Sequence, residues 1–308
     1  MLKVDNLRKT FGGTVAVDSI TFQADAGEIF GLLGPNGAGK TTTLNCICGL
    51  LVPDSGEIRV LGHDIVREGA AARRPLGVVP QDLALYEDLS ARENLEYWGA
   101  VCGLRGSDLR KRSGEVLEAV GLQDRAQEPI KRFSGGMKRR LNFGCGVMHR
   151  PRLLLLDEPT VGVDPQSRVR LLDLVREQAR QGACVLYTTH YMEEAEMLCN
   201  RLAIVDSGKI IAQGTLPELR ARMGERDLLR LTGSLPESAQ DALTALGDIE
   251  ILQADRVHIV LATPGASRRL PAIFAALDAV GAEIRDTILT QPTLESLFIK
   301  LTGKELRE

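Results

Sequence analysis

Short apolar runs alternate with helical patterns over roughly the first 220 residues of the chain. Alternation of this kind is typical of a largely parallel sheet with helices on its faces. Near the N-terminus the apolar runs at 14–17 and 20–22 are separated by polar turns instead of helices. These runs are rich in β-branched and aromatic residues, which favour strands. We therefore predict an antiparallel β patch within residues 2–30, beside a mainly parallel sheet.

A helical region interrupts the alternation between residues 81 and 131. Ser90 and Glu93 are spaced as a capping box that opens a helix, and a further helical pattern runs over 115–120. The α/β pattern then returns with a strand at 153–156, a helix at 165–180, a strand at 183–188 and a helix from about 191. We predict a helical subdomain, at about 82–132, inserted into the sheet order.

The pattern changes again beyond residue 222. Strands are predicted at 228–231, 249–252, 257–261 and 283–288, with helices at 238–246 and 267–280. The order βαββαβ is that of the split ferredoxin-like arrangement, and an extra helix is predicted at 293–301. We thus predict two domains, an α/β domain at 1–222 and a small α+β ferredoxin-like domain at 223–308.

Composition and charge exclude several classes of protein. The 308 residues are 44% hydrophobic and 26% charged, which is ordinary for a folded globular chain. A net charge of −3 is not the basic excess of a domain whose main partner is nucleic acid. No apolar run reaches the roughly 18 residues of a membrane span, and the N-terminus has no secretory apolar segment. We expect a cytosolic chain, with its cysteines as reduced core thiols because no Cys-x-x-Cys pair occurs.

Residues 34–41 read Gly-Pro-Asn-Gly-Ala-Gly-Lys-Thr, which matches the phosphate-loop pattern Gly-x4-Gly-Lys-Thr. An accidental glycine turn would lack the context seen here, because an apolar strand at 28–33 precedes the loop and a helix at 42–48 follows it. Lys40 is expected to reach the β- and γ-phosphates of a nucleotide, and Thr41 to hold Mg²⁺. The candidate nucleotide-binding residues are Gly34, Pro35, Asn36, Gly37, Ala38, Gly39, Lys40, Thr41 and Thr42.

Asp157 and Glu158 follow the apolar run 153–156. Carboxylates at the carboxyl end of a buried parallel strand lie where open α/β sheets bind ligands. We predict that Asp157 orients Mg²⁺ and that Glu158 polarises the water that attacks the γ-phosphate. The alternative is that two acidic residues merely end a strand.

His190 ends the next predicted strand and begins a helix, so it lies at the same edge of the sheet. It is expected to hydrogen-bond the γ-phosphate and to hold Glu158 and the water in place. A capping or surface histidine is the alternative.

The order of these motifs resembles the nucleotide-binding subunits of ABC transporters over roughly residues 1–220. In that family a signature usually written LSGGQ follows the helical subdomain, and here residues 133–137 read Phe-Ser-Gly-Gly-Met. The resemblance implies the ABC-type P-loop NTPase fold and an ATPase that binds ATP and Mg²⁺. It further implies that Ser134, Gly135 and Gly136 contact the γ-phosphate of ATP held by a second copy of the chain.

The same resemblance implies roles for three further residues. Gln81, in Val-Val-Pro-Gln, looks like the Q-loop residue, which contacts Mg²⁺ and links the site to the membrane partner. Asp164 looks like the D-loop residue that reaches the ATP of the other copy, although capping of a helix at 165 explains it about equally well. Phe11 looks like the aromatic that stacks on adenine, with a core phenylalanine as the alternative.

Two features of the chain resemble the exporter branch that includes daunorubicin-resistance and polysaccharide-export ATPases. One is the run 134–141, with Lys138, Arg139 and Arg140, and the other is the C-terminal segment 291–298. The basic run also fits a solvated helix face. Phe133 and Met137 depart from the usual signature, but neither change removes a phosphate-binding group.

The function implied is an ATP-hydrolysing subunit that pairs with a second copy of itself and energises export by a separate transmembrane permease. The subunit would sit at the cytoplasmic face of the membrane, and the C-terminal domain would stabilise the dimer or regulate it. The alternative is a soluble ABC-type ATPase acting on nucleic acid or ribosomes. The single phosphate loop and the short stretch between Lys40 and Ser134 argue against that alternative.

Overall fold

A computed structural model describes residues 1–221, 226–290 and 294–302 of the chain. The chain divides into two compact units, Met1–Gln213 and Gly214–Glu308. No helix within the described ranges is long and apolar enough to cross a membrane.

The first unit contains both of the sheets that the N-terminal pattern predicts. Its elements, in chain order, are β1 (Leu2–Phe11), β2 (Thr14–Ala24), β3 (Ile29–Leu33), α1 (Lys40–Ile47), β4 (Ser55–Val60), β5 (His63–Asp64), α2 (Gly69–Arg73), β6 (Leu76–Val79), α3 (Ala91–Val101), α4 (Gly106–Ala119), α5 (Gly135–Gly146), β7 (Leu153–Asp157), α6 (Pro165–Arg180), β8 (Cys184–Thr189), α7 (Met192–Leu198), β9 (Arg201–Asp206) and β10 (Lys209–Thr215).

The central sheet has six strands in the order β10-β9-β3-β8-β7-β6. The five strands β9, β3, β8, β7 and β6 pair with one another in parallel. Every residue of β3, β7 and β8 is buried, as expected of parallel strands covered on both faces. The carboxyl ends of β3, β7 and β8 therefore meet at one edge, where Leu33 pairs with Thr189 and Asp157 with Thr188.

The second sheet of this unit is antiparallel, in the order β2-β1-β4-β5. Along β1 the buried positions are Leu2, Val4 and Leu7. The alternation shifts after Val4 because Asn6 adopts a left-handed conformation with φ of 48°. The predicted patch is present, but β4 and β5 extend it with strands that the sequence pattern did not indicate.

Helices α3 and α4 lie within the predicted range 82–132. Ser90 and Glu93 form the predicted capping box, since the Glu93 N–H donates to Ser90 Oγ and the Ser90 N–H donates to Glu93 Oε2. Short 3-10 turns at Gln123–Arg125 and Ile130–Arg132 lead from α4 to α5. The second turn ends at Arg132, so α5 begins at Gly135, directly after the helical subdomain.

The second unit has the predicted βαββαβ order. Its elements are α8 (Leu216–Ala221), β11 (Asp227–Ser234), α9 (Ser238–Thr244), β12 (Glu250–Ala254), β13 (His258–Thr263), α10 (Ala266–Ala279), β14 (Glu283–Thr290) and α11 (Leu294–Thr302). The sheet is antiparallel in the order β12-β13-β11-β14, which is that of the split arrangement. Its core is formed by residues of the central strands and of the two helices, including Leu229, Leu231, Leu261, Ile273 and Leu277.

The boundary between the units lies earlier than the predicted 222/223. Helix α8 belongs to the second unit because it packs against α11, and its Leu219 is fully buried. Residues 222–225, where the boundary was predicted, and residues 291–293, where the last helix was predicted to start, lie outside the described residues.

Candidate functional site

The segment 34–41 joins the carboxyl end of β3 to the N-terminus of α1, as predicted. Gly37 and Gly39 have φ of 81° and 100°, a conformation that residues with a Cβ avoid. The loop is also tightly packed, since a Cβ on Gly34 would lie 2.1 Å from the Val205 carbonyl oxygen. Glycine is therefore required here both by backbone conformation and by space.

Exposure varies along this loop. Lys40 is only 4% exposed. Asn36, Gly37 and Thr41 are exposed, Pro35, Gly39 and Thr42 are partly buried, and Gly34 and Ala38 are buried. The loop therefore offers an open surface above a buried lysine.

Lys40 Nζ has three acceptors within hydrogen-bond distance. It donates to the carbonyl oxygens of Gly34 at 2.7 Å and Pro35 at 3.0 Å. It also lies 2.9 Å from Glu158 Oε1. An ammonium group has three N–H donors, so these contacts account for all of them.

Asp157 and Glu158 lie at the carboxyl end of β7, and both are nearly buried, at 6% and 5% exposed. The Thr188 hydroxyl donates to Asp157 Oδ1 at 2.7 Å and accepts from the Glu158 N–H at 3.0 Å. Glu158 has φ of 43°, a conformation that is uncommon for a residue with a side chain and that recurs at active sites. One threonine of β8 thus orients both acidic residues.

The Glu158 carboxylate lies between two cationic or proton-donating groups. Oε1 faces Lys40, and Oε2 lies 3.0 Å from Nδ1 of His190. Burial by itself raises the pKa of Glu158, but hydrogen bonding and charge from Lys40, together with His190, more than offset it and leave the pKa below its ordinary value. Glu158 is therefore held as a carboxylate beside the phosphate loop.

The signature segment lies at the N-terminus of α5. Ser134 is its N-cap and accepts from the Met137 N–H at 3.3 Å. Ser134 and Gly135 are exposed, whereas Gly136 is buried. A Cβ on Gly136 would lie 2.2 Å from Ser167 Oγ, so this glycine also packs α5 against α6.

Asp164 is exposed and caps α6, accepting from the Ser167 N–H at 2.9 Å. The capping that we considered as an alternative is thus present. Asp164 Oδ2 would lie 3.0 Å from a Cβ on Gly136, so α5 and α6 begin side by side.

Phe11 and Gln81 form no hydrogen bond or ion pair with Lys40, Glu158 or His190 within the described residues. Phe11 is 47% exposed, which rules out the core phenylalanine, and Lys9 Nζ lies 5.5 Å from its ring centroid. Gln81 is exposed; its carbonyl oxygen accepts from Arg139, and its side chain makes no hydrogen bond within the described residues.

Glu194 of α7 is a buried acidic residue near this site that the sequence patterns did not indicate. It is 1% exposed and accepts hydrogen bonds from three hydroxyl groups. The one feature of the sequence that could have indicated its burial is its position beside Ala195, which is also buried, in the short helix α7.

The geometry suits phosphate chemistry. A loop of backbone N–H groups at a helix N-terminus binds phosphate, and a carboxylate held beside a lysine is suited to orient water for attack on phosphorus. The sequence profile described as "ABC transporter" matches residues 17–161. The linearmycin resistance ATP-binding protein LnrL of Bacillus subtilis (strain 168) is 43% identical over 311 residues, covering 100% of both chains.

The chain belongs to the ABC transporter family. This ABC subunit is also 39% identical over 309 residues to the daunorubicin resistance ATP-binding protein DrrA3 of Streptomyces coeruleorubidus, covering 99% of this chain and 97% of that protein. Among solved structures it is similar to a dimeric post-hydrolysis state of the ATP-binding cassette MJ0796 bound to ADP and Pi, with a TM-score of 0.64, 26% identity and coverage of 70% and 99%.

These relatives confirm the predicted ABC-type fold of the ATP-binding domain and the exporter branch. The ABC subunit is the ATP-binding subunit of an exporter-type transporter, and it is an ATPase whose hydrolysis is coupled to transport. The alternative of an ATPase acting on nucleic acid or ribosomes is therefore set aside.

Proposed function

We propose that this subunit hydrolyses ATP at composite sites formed between two copies of the chain, with Glu158 as the catalytic carboxylate. The observation that carries the proposal is the row of Lys40, Glu158 and His190 at the carboxyl edge of the sheet, joined by contacts of 2.9 and 3.0 Å. Glu158 orients the attacking water and polarises it, while His190 fixes the position of the carboxylate. Lys40 stabilises charge on the β- and γ-phosphates.

The adenine ring and Mg²⁺ would be bound by residues other than Lys40, Glu158 and His190. Phe11 stacks on adenine, a role supported by its exposed ring. Thr41, Gln81 and Asp157 would hold Mg²⁺. Their hydroxyl, amide and carboxylate oxygens are the hard ligands that this ion prefers, and Asp157 uses only Oδ1 in hydrogen bonds within the described residues. When bound, Mg²⁺ neutralises charge on the phosphate oxygens.

The second half of each site would come from another copy. Ser134, Gly135 and Asp164 are exposed. The Ser134 hydroxyl proton can donate to a phosphate oxygen, and the glycine and the helix N-terminus beside it also suit a phosphate. Gly136 contributes mainly by letting α5 approach α6. The dimeric state of the similar cassette supports a homodimer with two equivalent sites.

Mixing two inactive variants tests the shared site. Lys40→Ala and Ser134→Arg should each be nearly inactive, because each spoils both sites of its homodimer. Random mixing gives heterodimers with one intact site, so about a quarter of the wild-type ATPase rate should return under two-fold symmetry. Lys40→Ala mixed with Glu158→Gln is the matched control, since both changes lie on the same side and no intact site forms. No recovery in the first mixture would contradict the shared site.

We also propose that a transmembrane permease docks beside Gln81. An apolar cavity of about 440 Å³ is lined by Pro80, Val78 and Trp98, and at its rim Leu50 is 75% and Val101 62% exposed. Exposed apolar surface of this kind marks an interaction site. An amphipathic permease segment fits it, and docking there would bring the subunit to the cytoplasmic face of the membrane.

Charge introduced into the cavity rim tests this docking. Val101→Asp should abolish co-purification with the permease while leaving the ATPase rate of the isolated subunit within about twofold. Val169→Asp, at a site 57% exposed on α6, is the control. Equal co-purification of the two variants would rule the cavity out.

The relatives' names support export of an antibiotic-like compound, because LnrL and DrrA3 are described as linearmycin and daunorubicin resistance proteins. The subunit and its permease, expressed together in a sensitive bacterium, should raise resistance to such compounds. The Glu158→Gln variant should abolish that gain. Unchanged sensitivity across both compound classes would exclude this substrate range.

We propose that the second unit stabilises the dimer. Its outer strand β14 is largely exposed, with Ile288 46% and Leu289 39% accessible. A chain ending at residue 215 should dimerise more weakly with ATP than the full chain, as measured by light scattering. Unchanged dimerisation and an unchanged ATPase rate would overturn the proposal.

A further inference from the structure

Glu194 is a buried carboxylate that joins the two segments carrying Glu158 and His190. Its Oε2 accepts from the hydroxyls of Tyr187 at 2.8 Å, Thr160 at 2.9 Å and Thr189 at 3.1 Å. An ionised carboxylate only accepts hydrogen bonds, so each of these hydroxyl protons points at it. Tyr187 lies inside strand β8, but Thr160 and Thr189 lie next to the predicted catalytic residues.

Thr189 carries the first connection to His190. Its hydroxyl donates to Glu194 and accepts from the Tyr191 N–H at 2.9 Å. The hydrogen bond from residue 191 back to residue 189 spans His190 and restrains its backbone. Because the Thr189 hydroxyl donates its proton in a hydrogen bond to Glu194, its oxygen is available to accept from the Tyr191 N–H.

A second connection runs through side chains. Arg168 Nε lies 3.4 Å from Glu194 Oε1, and its guanidinium carbon lies 4.9 Å from the Tyr191 ring centroid. The Tyr191 ring in turn lies 4.1 Å from the His190 ring, measured between centroids. The Glu194 carboxylate thus attracts Arg168 by charge, without a hydrogen bond between Nε and Oε1. Arg168 lies over the Tyr191 ring, and that ring packs against the imidazole of His190.

Thr160 connects the same carboxylate to Glu158. It is 1% exposed and lies two residues beyond Glu158 in the turn where the Val161 N–H donates to the Glu158 carbonyl oxygen at 3.3 Å. The hydroxyl bond to Glu194 therefore fixes the turn that follows the catalytic carboxylate.

We propose that Glu194 is a positioning residue for ATP hydrolysis, holding the turn after Glu158 and the loop at His190 so that the two side chains stay 3.0 Å apart. The inference rests on the roles proposed above for Glu158 and His190. Displacement of a reacting group by about 1 Å can reduce a rate by about 100-fold. Glu194 thus acts on turnover and leaves nucleotide binding by the phosphate loop unaffected.

Variants of the hydroxyl partners separate positioning from packing. Thr189→Val keeps the side-chain shape and removes the hydroxyl, so in the full-length protein kcat should fall by at least about tenfold while KM for ATP stays within about twofold. Thr189→Ser should restore kcat. Tyr187→Phe removes an equally buried hydroxyl from Glu194 but has no link to His190, so it should lower the melting temperature with kcat retained.

A double-mutant cycle with His190→Ala gives the decisive readout. If Thr189 acts through His190, Thr189→Val should add less than about a twofold loss in the His190→Ala background. The proposal would be overturned if Thr189→Val lowered kcat as much in the His190→Ala background as in wild type. It would also be overturned if Thr189→Val and Tyr187→Phe had the same kcat. Should Thr189→Val fail to fold, Thr160→Val is measured against wild type, and a kcat within about twofold of wild type would overturn the proposal. Glu158→Gln is measured alongside, and if it remains active, the proposed role of Glu158 fails independently of Glu194.

Discussion

The two halves of the proposed ATP site differ in how completely one chain builds them. Lys40, Asp157 and Glu158 are 4–6% exposed, and each side chain forms hydrogen bonds or ion pairs with neighbouring groups of its own chain. Ser134 and Asp164 are exposed, and within the described residues their side chains accept hydrogen bonds that cap their own helices. The first half is preorganised within one chain, whereas the second is a surface.

This difference separates binding from turnover. Preorganised charges in a buried site stabilise a reaction without reorganising at the time it occurs. Surface groups gain that effect only when a partner excludes water from them. We therefore expect one copy to bind ATP and two copies to hydrolyse it.

Replacement of the carboxylate at the centre of the buried half should have the largest effect. Glu158→Gln keeps the shape of the side chain but removes its basicity, so the ATPase rate should fall by at least about 100-fold. ATP binding should persist, and ATP should trap the dimer, as measured by light scattering. Glu193→Gln, an exposed neighbour of the buried Glu194 on α7, is the control. A rate for Glu158→Gln near that of the control would show that the buried half does not carry the chemistry.

Replacement of Ser134, in the exposed half of the site, should leave ATP binding by the monomer intact. Ser134→Ala should leave the ATP dissociation constant of the monomer within about twofold and reduce turnover about tenfold or more, because a lost hydrogen bond to a charged group costs about 1.5–3 kcal/mol.

The lost helix cap must be separated from this loss. Removal of a serine N-cap costs about 1 kcal/mol of stability, and Ser90→Ala removes the cap of α3 at similar cost without approaching the site. Equal turnover of Ser134→Ala and Ser90→Ala would reduce the role of Ser134 to capping.

The two signature glycines should respond differently to alanine. On Gly136 the new Cβ meets Ser167, so unfolding free energy should drop by about 1–3 kcal/mol from overpacking. On Gly135 the nearest atom is 4.0 Å away, and stability should be unchanged or higher. Chemical denaturation measures both. Rescue of Gly136→Ala by Ser167→Gly is expected, and failure of that rescue would refute the packing explanation.

The smallest expected effect is a change in the free energy of unfolding at low pH. The folded-state pKa of Glu158 lies below its ordinary value of 4.5, so the unfolded chain takes up this proton first as the pH falls. The stability that wild type gains over Glu158→Gln should be fully present above pH 4.5 and decline as the pH falls through the folded pKa. Urea unfolding of both proteins between pH 7 and the acid limit of folding measures this. A difference that grew on acidification would contradict the assigned direction.

Local signals in the sequence were sufficient for much of the fold. Asp164 and Pro165 marked the start of α6, Ser90 and Glu93 that of α3, and the apolar run at 153–156 gave a strand that is observed as Leu153–Asp157. Each of these signals acts over a few residues, so no tertiary information is needed to interpret it.

The features that sequence reasoning missed depend on contacts between distant segments. Glu194 is bound by hydroxyls from Thr160 and Tyr187, which lie in other elements, and nothing adjacent to it predicts that set. Burial of Gly136 depends on Ser167 of α6. The unit boundary was misplaced because α8 packs against α11, which lies at the far end of the chain.

The saturated ammonium group of Lys40 has a kinetic consequence. Its three acceptors, two carbonyl oxygens and the Glu158 carboxylate, leave no donor for a phosphate unless one partner is exchanged. A γ-phosphate that takes the place of Glu158 at Lys40 would free that carboxylate to face water only at the moment when a cleavable bond is in position. ADP brings only its β-phosphate to Lys40, so we expect ATP to displace Glu158 from this lysine more completely than ADP does.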